Sequence, residues 1–158
     1  MCNNEYKYCE GFNMKNDKLL LSNHLCFAIY AASREMIKLY HPLLKELGIT
    51  YPQYLVLLVL WEKEKISVKG LGEELYLDSG TLTPVLKRLE ERGLIIRERS
   101  KEDERSVIIT LTTEGNEFKE KVTMIPNAVF DKTGCNEEEI KSYNKEIRNL
   151  LNMLTTEQ

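Results

Sequence analysis

The sequence predicts a mainly α-helical protein that carries one small β-hairpin. Three observations support this fold class. Apolar side chains recur at helical spacing over residues 20–46, a nearly all-apolar segment follows at 52–63, and residues 67–111 show two short helices, a tight turn between them, and then two strands. This order of elements is typical of a winged helix-turn-helix with helical regions on either side.

The first two helices are expected to be joined by a tight turn. The helix over 20–46 is expected to bend, or to start a new turn, at Pro42, because proline removes a backbone hydrogen bond. Gly48 suits the left-handed residue after a helix end, and Thr50 can cap the next helix. Since that helix, over 52–63, is apolar on nearly all sides, it is predicted to be the buried centre of the fold.

Capping residues mark both helices of the helix-turn-helix. Ser67 can cap a short helix over 68–76, and Asp78 with Ser79 can open a second helix that runs to residue 92. The second helix has one apolar face, formed by Leu82, Val85, Leu86 and Leu89. Its other face is therefore expected to be open to a partner.

The hairpin follows directly. Two strands are predicted over 94–99 and 106–111, because their residues alternate in polarity or are β-branched. The connecting loop, 100–105, consists of one serine and five charged residues. A charged loop between two such strands predicts a slim wing that extends from the protein surface.

Two further helical stretches complete the chain. A helix is predicted over 113–130, capped at its first residue, Thr113, and interrupted near Pro126. A last helix is predicted over 137–154, because the residues before it resemble a capping box, formed by Asn136 and Glu139.

Charge and cysteine spacing exclude several classes of protein. The formal net charge of −3 argues against a non-specific nucleic-acid binder and leaves room for a basic face. The four cysteines have no Cys-x-x-Cys spacing and only two histidines accompany them, so neither a metal site nor a cofactor is expected. No secretory signal or membrane-length apolar run is visible, which predicts a cytoplasmic protein.

The chain is expected to form one domain after a short arm. Residues 1–16 are polar and irregular and are predicted to be a flexible N-terminal arm, in which Cys2 and Cys9 have no assigned role. Residues 17–158 are predicted to form a single domain, since this length fits one domain with an attached helical region.

The second helix of the motif carries the predicted DNA contacts. In a helix-turn-helix this helix enters the major groove with its N-terminal end against the bases, where small and hydrogen-bonding residues fit. Such residues occupy its first turns, at Ser79, Gly80, Thr81, Thr83 and Pro84. Lys87 and Arg88 follow, in reach of phosphates or base edges.

The wing adds a second predicted contact. It carries four basic residues, Arg97, Arg99, Lys101 and Arg105. A narrow minor groove attracts arginine, so Arg105 at the hairpin tip is expected to enter it. Asp103 lies two residues earlier and is expected to support the Arg105 guanidinium. The predicted partner is therefore double-stranded DNA.

Four segments resemble the MarR family, and within it the OhrR group of regulators that sense organic hydroperoxides. The segments are residues 25–34 (LCFAIYAASR), 48–57 (GITYPQYLVL), 76–84 (YLDSGTLTP) and 99–105 (RSKEDER). The wing segment is similar to the wider family. The helix that bears Cys26 is similar to the peroxide-sensing group.

The resemblance implies a homodimeric repressor. Helices over 20–46 and 113–154 would form the dimer interface, and the winged module over 50–112 would read half of a pseudo-palindromic operator. The resemblance further implies that Cys26 is the redox-sensing thiol, that Tyr40 and Tyr51 are its hydroxyl partners, and that oxidation by an organic hydroperoxide releases the DNA. By the same resemblance, Arg105 is the minor-groove arginine, Asp103 is its partner, and the repressed gene encodes a thiol peroxidase.

Helix geometry predicts where the thiol finds its partners. Residues 26 and 40 are 14 positions apart, so on one straight helix they are separated by roughly 21 Å along its axis. If the two side chains meet, as the resemblance implies, Tyr40 must come from the other subunit. A sulfenic acid formed at Cys26 can condense with a second thiol. Cys135, just before the last helix, and a small cellular thiol both remain open as that second thiol.

Two alternatives differ in chemistry. The first is a MarR-type repressor that releases DNA on binding a small aromatic acid, with Cys26 as a passive pocket residue. The second is a thiol peroxidase that uses Cys26, which would make the protein an enzyme. The many residues committed to DNA reading favour a non-enzymatic regulator.

Overall fold

The computed structural model describes residues 19–101, 103 and 105–156. The arm predicted over 1–16, with Cys2 and Cys9, lies outside these residues. The chain divides into two compact units, one that ends at Lys38 and one that begins at Leu39. The second unit contains the helix-turn-helix and the wing.

The described residues are mainly α-helical, which confirms the predicted fold class. After a short 3-10 turn the elements are α1 (Leu25–Glu46), α2 (Tyr51–Lys63), β1 (Lys65–Ser67), α3 (Val68–Leu75), α4 (Ser79–Glu91), β2 (Ile95–Arg99), β3 (Val107–Leu111), α5 (Thr113–Val122), α6 (Ile125–Thr133) and α7 (Glu137–Thr156). We call α4 the recognition helix, and β2, β3 and the loop between them the wing.

The turn between α1 and α2 has the predicted chemistry. Gly48 adopts the left-handed conformation, with φ of 68°. Thr50 precedes α2, and its backbone N–H donates a 2.8 Å hydrogen bond to the side-chain oxygen of Gln53. Pro42 lies inside α1, so it does not begin a separate element.

The second helix forms the centre of the core, as predicted. Five of its residues are buried, and the neighbouring α3, α4 and β3 supply leucine and isoleucine side chains against it. The residues that are essentially inaccessible to solvent include Val56, Leu57, Leu60, Leu71, Leu82, Leu89 and Ile109. A fully buried leucine contributes roughly 1.5–3 kcal/mol relative to an exposed one, so these contacts hold the recognition helix to α2.

The sheet has three strands, whereas the sequence predicted two. β1 pairs antiparallel with β3 on the side opposite to β2, so the strand order is β1-β3-β2. Ile109 of β3 lies between Ile66 and Arg97 in this register. β1 has only three residues, too few to show alternation, and its position depends on pairing with distant β3. The third strand fixes the base of the wing to the segment that precedes α3.

The C-terminal helices differ in one detail from the prediction. The cap of α5 is Thr112 rather than Thr113, since the Thr112 hydroxyl accepts a 2.9 Å hydrogen bond from the Gly115 N–H. The break near Pro126 is present, because α6 begins at Ile125 with that proline in its first turn.

The predicted capping box of α7 is confirmed. Asn136 and Glu139 exchange hydrogen bonds between side chain and backbone, at 2.8 and 2.9 Å. This exchange satisfies backbone donors that the first turn of a helix otherwise leaves unpaired.

The start of α5 packs unusually close to the turn that joins α4 to β2. A Cβ atom added at Gly115 would overlap the carbonyl oxygen of Leu94. Thr112 bonds the same turn twice, through its N–H to the Leu94 oxygen at 3.1 Å and through its hydroxyl to the Gly93 oxygen at 2.6 Å. The Trp61 indole N–H donates to the Gly115 oxygen at 3.0 Å, so α2 is part of the same junction.

No single helix among the described residues is both long and apolar enough to cross a membrane. The bent pair α1 and α2 passes that test only when its two helices are taken together.

Replacement of Gly115 by alanine is expected to destabilise the fold by about 3 kcal/mol or more, because the new methyl group meets backbone rather than a mobile side chain. Gly70→Ala is the matched control. Its Cβ would meet side-chain atoms of Ile66 and Ser67 at 3.2 Å, and we expect a change below about 1 kcal/mol. Urea unfolding of both variants measures the difference. Equal destabilisation would contradict a special close approach at Gly115.

Candidate DNA interface and thiol site

The recognition helix starts with a strong cap. The Asp78 carboxylate accepts the Thr81 backbone N–H at 3.0 Å and the Thr81 hydroxyl at 2.7 Å. The hydrogen bond from the Thr81 hydroxyl, and secondarily that from its N–H, lowers the pKa of Asp78 below its usual value. The Thr83 hydroxyl donates to the Ser79 oxygen at 2.7 Å. These bonds fix the first turn, in which two threonine hydroxyls keep lone pairs free to accept.

Every DNA contact predicted on α4 lies on its exposed side. The buried side consists of Leu82, Leu86 and Leu89. The exposed residues are Ser79, Gly80, Thr81, Thr83, Pro84, Lys87 and Arg88. Lys87 lies 3.8 Å from Glu91 in a solvent-exposed pair, which contributes little. Within the described residues Arg88 forms no ion pair, so its charge is free for a phosphate.

One of the four basic wing residues has a structural role. Arg97 is half-buried and donates two hydrogen bonds to Glu90 of α4, from Nε at 2.9 Å and from a terminal nitrogen. The hydrogen bonds from Arg97 lower the pKa of the Glu90 carboxyl. Arg97 therefore ties the wing to the recognition helix. Arg99, Lys101 and Arg105 remain exposed.

The hairpin tip shows how Asp103 acts. Its carboxylate accepts a 3.0 Å hydrogen bond from the backbone N–H of Arg105, and its carbonyl accepts the Ser106 N–H at 2.8 Å. Among the described residues no ion pair joins Asp103 to the Arg105 guanidinium. The aspartate thus fixes the main chain at the tip, whereas the sequence interpretation had it support the guanidinium directly.

The predicted sensing residues are found in both units. Cys26 is exposed and is the second residue of α1, in the first unit. In the second unit Tyr40 packs against Tyr51 and Tyr54, with ring centres 5.0 and 5.9 Å apart. Burial raises the pKa of all three phenols. These hydroxyls therefore stay protonated and can donate to a thiolate.

A polar contact near the thiol was missed by the sequence analysis. Arg34 donates a 2.8 Å hydrogen bond to the Tyr30 hydroxyl, and its guanidinium lies 5.5 Å from the ring centre. Cys26, Tyr30 and Arg34 follow one another at intervals of four residues, which places them on one face of α1. That spacing was the signal available in the sequence.

Cys135 lies immediately before the capping box of α7. It is half-buried, and its N–H donates to the Thr133 hydroxyl at 3.2 Å. Glu137, Glu138 and Glu139 occupy the first turn of α7. Cys135 therefore lies in the short connection between α6 and α7, with a free and partly accessible sulfur.

Comparison with known proteins decides the family. A family profile described as "Transcriptional regulator SarA/Rot" matches residues 38–122. An organic hydroperoxide resistance transcriptional regulator of Bacillus subtilis (strain 168) is 54% identical over 140 residues, which make up 89% of this chain and 95% of that protein. The chain belongs to the OhrR group of the MarR family.

Solved structures agree with this assignment. A structure described as reduced AbfR bound to DNA shares 41% identity with a TM-score of 0.71, and the match covers 89% of this chain and 99% of that one. A structure of disulfide-formed AbfR is also 41% identical, with a TM-score of 0.60 over 91% and 98% of the two chains. AbfR comes from Staphylococcus epidermidis. OhrR-group members are transcriptional regulators, so this chain is not a thiol peroxidase.

The cap of the recognition helix generates a pH prediction. The folded-state pKa of Asp78 is lowered, so the stabilising effect of its carboxylate is present above the usual carboxyl pKa of about 3.9 and is lost as the pH falls through the folded-state value. Wild type should therefore be more stable than Asp78→Asn at neutral pH, and this difference should shrink in acid. Urea unfolding between about pH 3 and pH 7 tests this. A difference that does not vary with pH would contradict the prediction.

Proposed function

We propose that this OhrR-group protein is a homodimeric repressor that releases its operator when an organic hydroperoxide oxidises Cys26. The observation that carries the proposal is the exposed Cys26 thiol on a chain whose recognition helix and wing expose the residues predicted to contact DNA. The Bacillus subtilis relative, an organic hydroperoxide resistance regulator over 89% of this chain, supports the choice of oxidant.

Exposed apolar side chains support the homodimer. The first half of α1 exposes Leu25, Phe27, Ile29 and Tyr30, and α7 exposes Tyr143, Ile147, Met153 and Leu154. None of the residues of α7 is buried, although its apolar residues share one face. So many exposed apolar side chains along a helix indicate that the helix packs against a partner. A second copy of the chain would cover it and would bring two recognition helices to one pseudo-palindromic DNA site.

The DNA contacts divide by chemistry. Ser79, Gly80 and Thr81 at the start of the recognition helix would approach bases and phosphates in the major groove, together with Thr83, Pro84, Lys87 and Arg88 of the following turns. Arg105 would enter the minor groove, positioned by the hydrogen bond between Asp103 and its backbone. The other exposed wing cations, Arg99 and Lys101, would bind phosphates.

The proposed switch is a two-electron oxidation. The Cys26 thiolate attacks the terminal oxygen of the hydroperoxide, the O–O bond breaks, and the alkoxide takes up a proton to leave as an alcohol. Cys26 becomes a sulfenic acid, which no longer carries the charge that the partner's Tyr40 and the partner's Tyr51 stabilise in the reduced dimer. A second thiol then attacks the sulfenic acid, which forms a disulfide and releases water.

The second thiol has two candidate sources. One is Cys135 of the partner subunit, and the other is a low-molecular-weight thiol of the cell. The cytoplasm keeps both kinds of thiol reduced, so either is available to a cytoplasmic repressor that binds chromosomal DNA. The proposal needs no metal, and the described residues contain no cluster of three or more metal-ligating side chains.

Cys26→Ser is expected to bind operator DNA as tightly as wild type but to keep it after treatment with an organic hydroperoxide. Wild type should release the DNA and recover it on addition of a thiol reductant. Gel-shift titrations of both proteins, before and after the peroxide, provide the measurement. Release by both proteins would contradict the role of Cys26. No release by either would favour a small-molecule ligand instead.

Cys135→Ser separates the two candidate thiols. If Cys135 of the partner subunit forms the disulfide, oxidised wild type should migrate as a covalent dimer on a non-reducing gel, and the variant should migrate as a monomer. Cys26→Ser is the matched control, because it should remove the same band. An unchanged dimer band in Cys135→Ser would assign the second sulfur elsewhere, and intact mass would identify an added small thiol.

A further inference from the structure

Arg92, the C-cap residue of the recognition helix, connects three separate elements. Its guanidinium donates two hydrogen bonds to the turn that follows α1, one to the Gly48 carbonyl and one to the Leu47 carbonyl at 3.1 Å. The same guanidinium lies 5.8 Å from the ring centre of Phe118, on α5. One side chain therefore joins the end of α4 to the end of α1 and to the first turns of α5.

The turn after α1 is built to accept these bonds. The N–H groups of Gly48 and Ile49 bond back to Lys45 and Leu44, at 2.9 and 3.0 Å, and so satisfy two of the last carbonyls of α1. The Leu47 and Gly48 carbonyls lie beyond this closure and accept from Arg92. A cation at a helix C-terminus is also favoured by the helix dipole. The contact with Arg92 thus completes the end of α1.

The adjoining residues of the same turn hold α5. Gly93 and Leu94 accept hydrogen bonds from Thr112, and Gly115 permits the close approach of the α5 backbone. The recognition helix is consequently held at its far end on two sides, by α1 through Arg92 and by α5 through the next two residues. Cys26 is the second residue of α1, the helix whose other end Arg92 binds.

We propose that Arg92 is a positioning residue that couples the recognition helix to α1 and does not itself contact DNA. The proposal rests on the redox switch proposed above. In the reduced protein Arg92 holds α4 in its DNA-binding orientation. A displacement of α1 after oxidation of Cys26 moves the Leu47 and Gly48 carbonyls, and the guanidinium carries that movement to α4.

A competing role is a direct phosphate contact. Arg88 and Arg92 are four residues apart, so they lie on one face of the helix end, and Arg88 is a predicted DNA contact. The two roles differ in the salt dependence of binding. Loss of a phosphate contact lowers the slope of log K against log salt concentration by about one, whereas loss of a positioning residue leaves it unchanged.

The test compares four variants with wild type in their reduced and peroxide-treated forms. Arg92→Gln removes both hydrogen bonds, and Arg92→Lys keeps the charge but not the two-pronged geometry. Lys121→Gln is the matched control, because Lys121 lies 5.7 Å from the same Phe118 ring. Arg88→Gln is the reference for a phosphate contact. Operator affinity at several salt concentrations, thermal stability and the extent of Cys26 oxidation by mass are measured for each.

Both Arg92 variants should lose roughly two- to thirtyfold in reduced-form operator affinity, with an unchanged salt slope. Their oxidised forms should be affected less, so the ratio of reduced to oxidised affinity should fall while Cys26 oxidises normally. Lys121→Gln should behave as wild type. Arg92→Lys, which keeps the charge, remains informative if Arg92→Gln does not fold.

Three results would overturn the proposal. A salt slope lowered by about one would make Arg92 a phosphate contact. If the Arg92 substitutions lowered the operator affinity of the reduced and oxidised forms equally, Arg92 would have a structural role alone. Unchanged reduced-form affinity would remove it from DNA binding altogether. If wild type itself ignores the hydroperoxide, the redox switch fails, and the salt slope and reduced-form affinity still decide whether Arg92 positions α4.

Discussion

The close approach of α5 to the turn between α4 and β2 is the constraint on which the rest of the molecule depends. Only a residue without a Cβ fits at position 115, because the Leu94 carbonyl occupies the space that a side chain would need. At that contact the Thr112 hydroxyl donates a hydrogen bond to the Gly93 carbonyl, and the Trp61 indole N–H donates one to the Gly115 carbonyl. The recognition helix, the wing and the buried α2 therefore share one junction, and none can shift far without breaking a buried contact.

The basic side chains of the winged module divide into those that pair with glutamates and those that do not. The chain has a net charge of −3, and several cations of the winged module are paired with glutamates, among them Lys63 with Glu74 and Arg97 with Glu90. The exposed pairs contribute little to stability, but they neutralise charge away from the predicted contacts. Arg88, Arg99, Lys101 and Arg105 form no ion pair among the described residues. Because acids and bases roughly match over residues 66–111, the predicted fit to DNA depends on where these cations lie and not on net charge.

The sequence predicted the elements well because their signals are local. The caps at Ser67, Asp78 and Asn136 and the left-handed Gly48 all lie within a few residues of the groups that they satisfy. What the sequence missed depends on contacts between distant segments. The strand β1 exists because it pairs with β3, more than 40 positions away, and the bonds of Arg92 to Leu47 and Gly48 span a similar distance. The roles of Arg97 and Asp103 differ from the prediction for another reason. Their partners, Glu90 and the Arg105 backbone N–H, lie nearby in the sequence, but charge alone does not reveal which group each side chain contacts.

The thiol and its predicted donors suggest why sensing and dimerisation would be inseparable. A thiolate needs hydrogen-bond donors to be stable near neutral pH, and the half-buried phenols of Tyr40 and Tyr51 are its predicted donors, because partial burial raises the pKa of each and keeps it protonated. The sequence predicts that Tyr40 reaches Cys26 from a second copy, because a straight helix separates positions 26 and 40 by roughly 21 Å along its axis. A second copy placed across the apolar face of α1 would supply the hydroxyls that the first copy lacks. The reactive state of the thiol would then exist only in the dimer, and oxidation would act directly on the interface that sets the spacing of the two recognition helices.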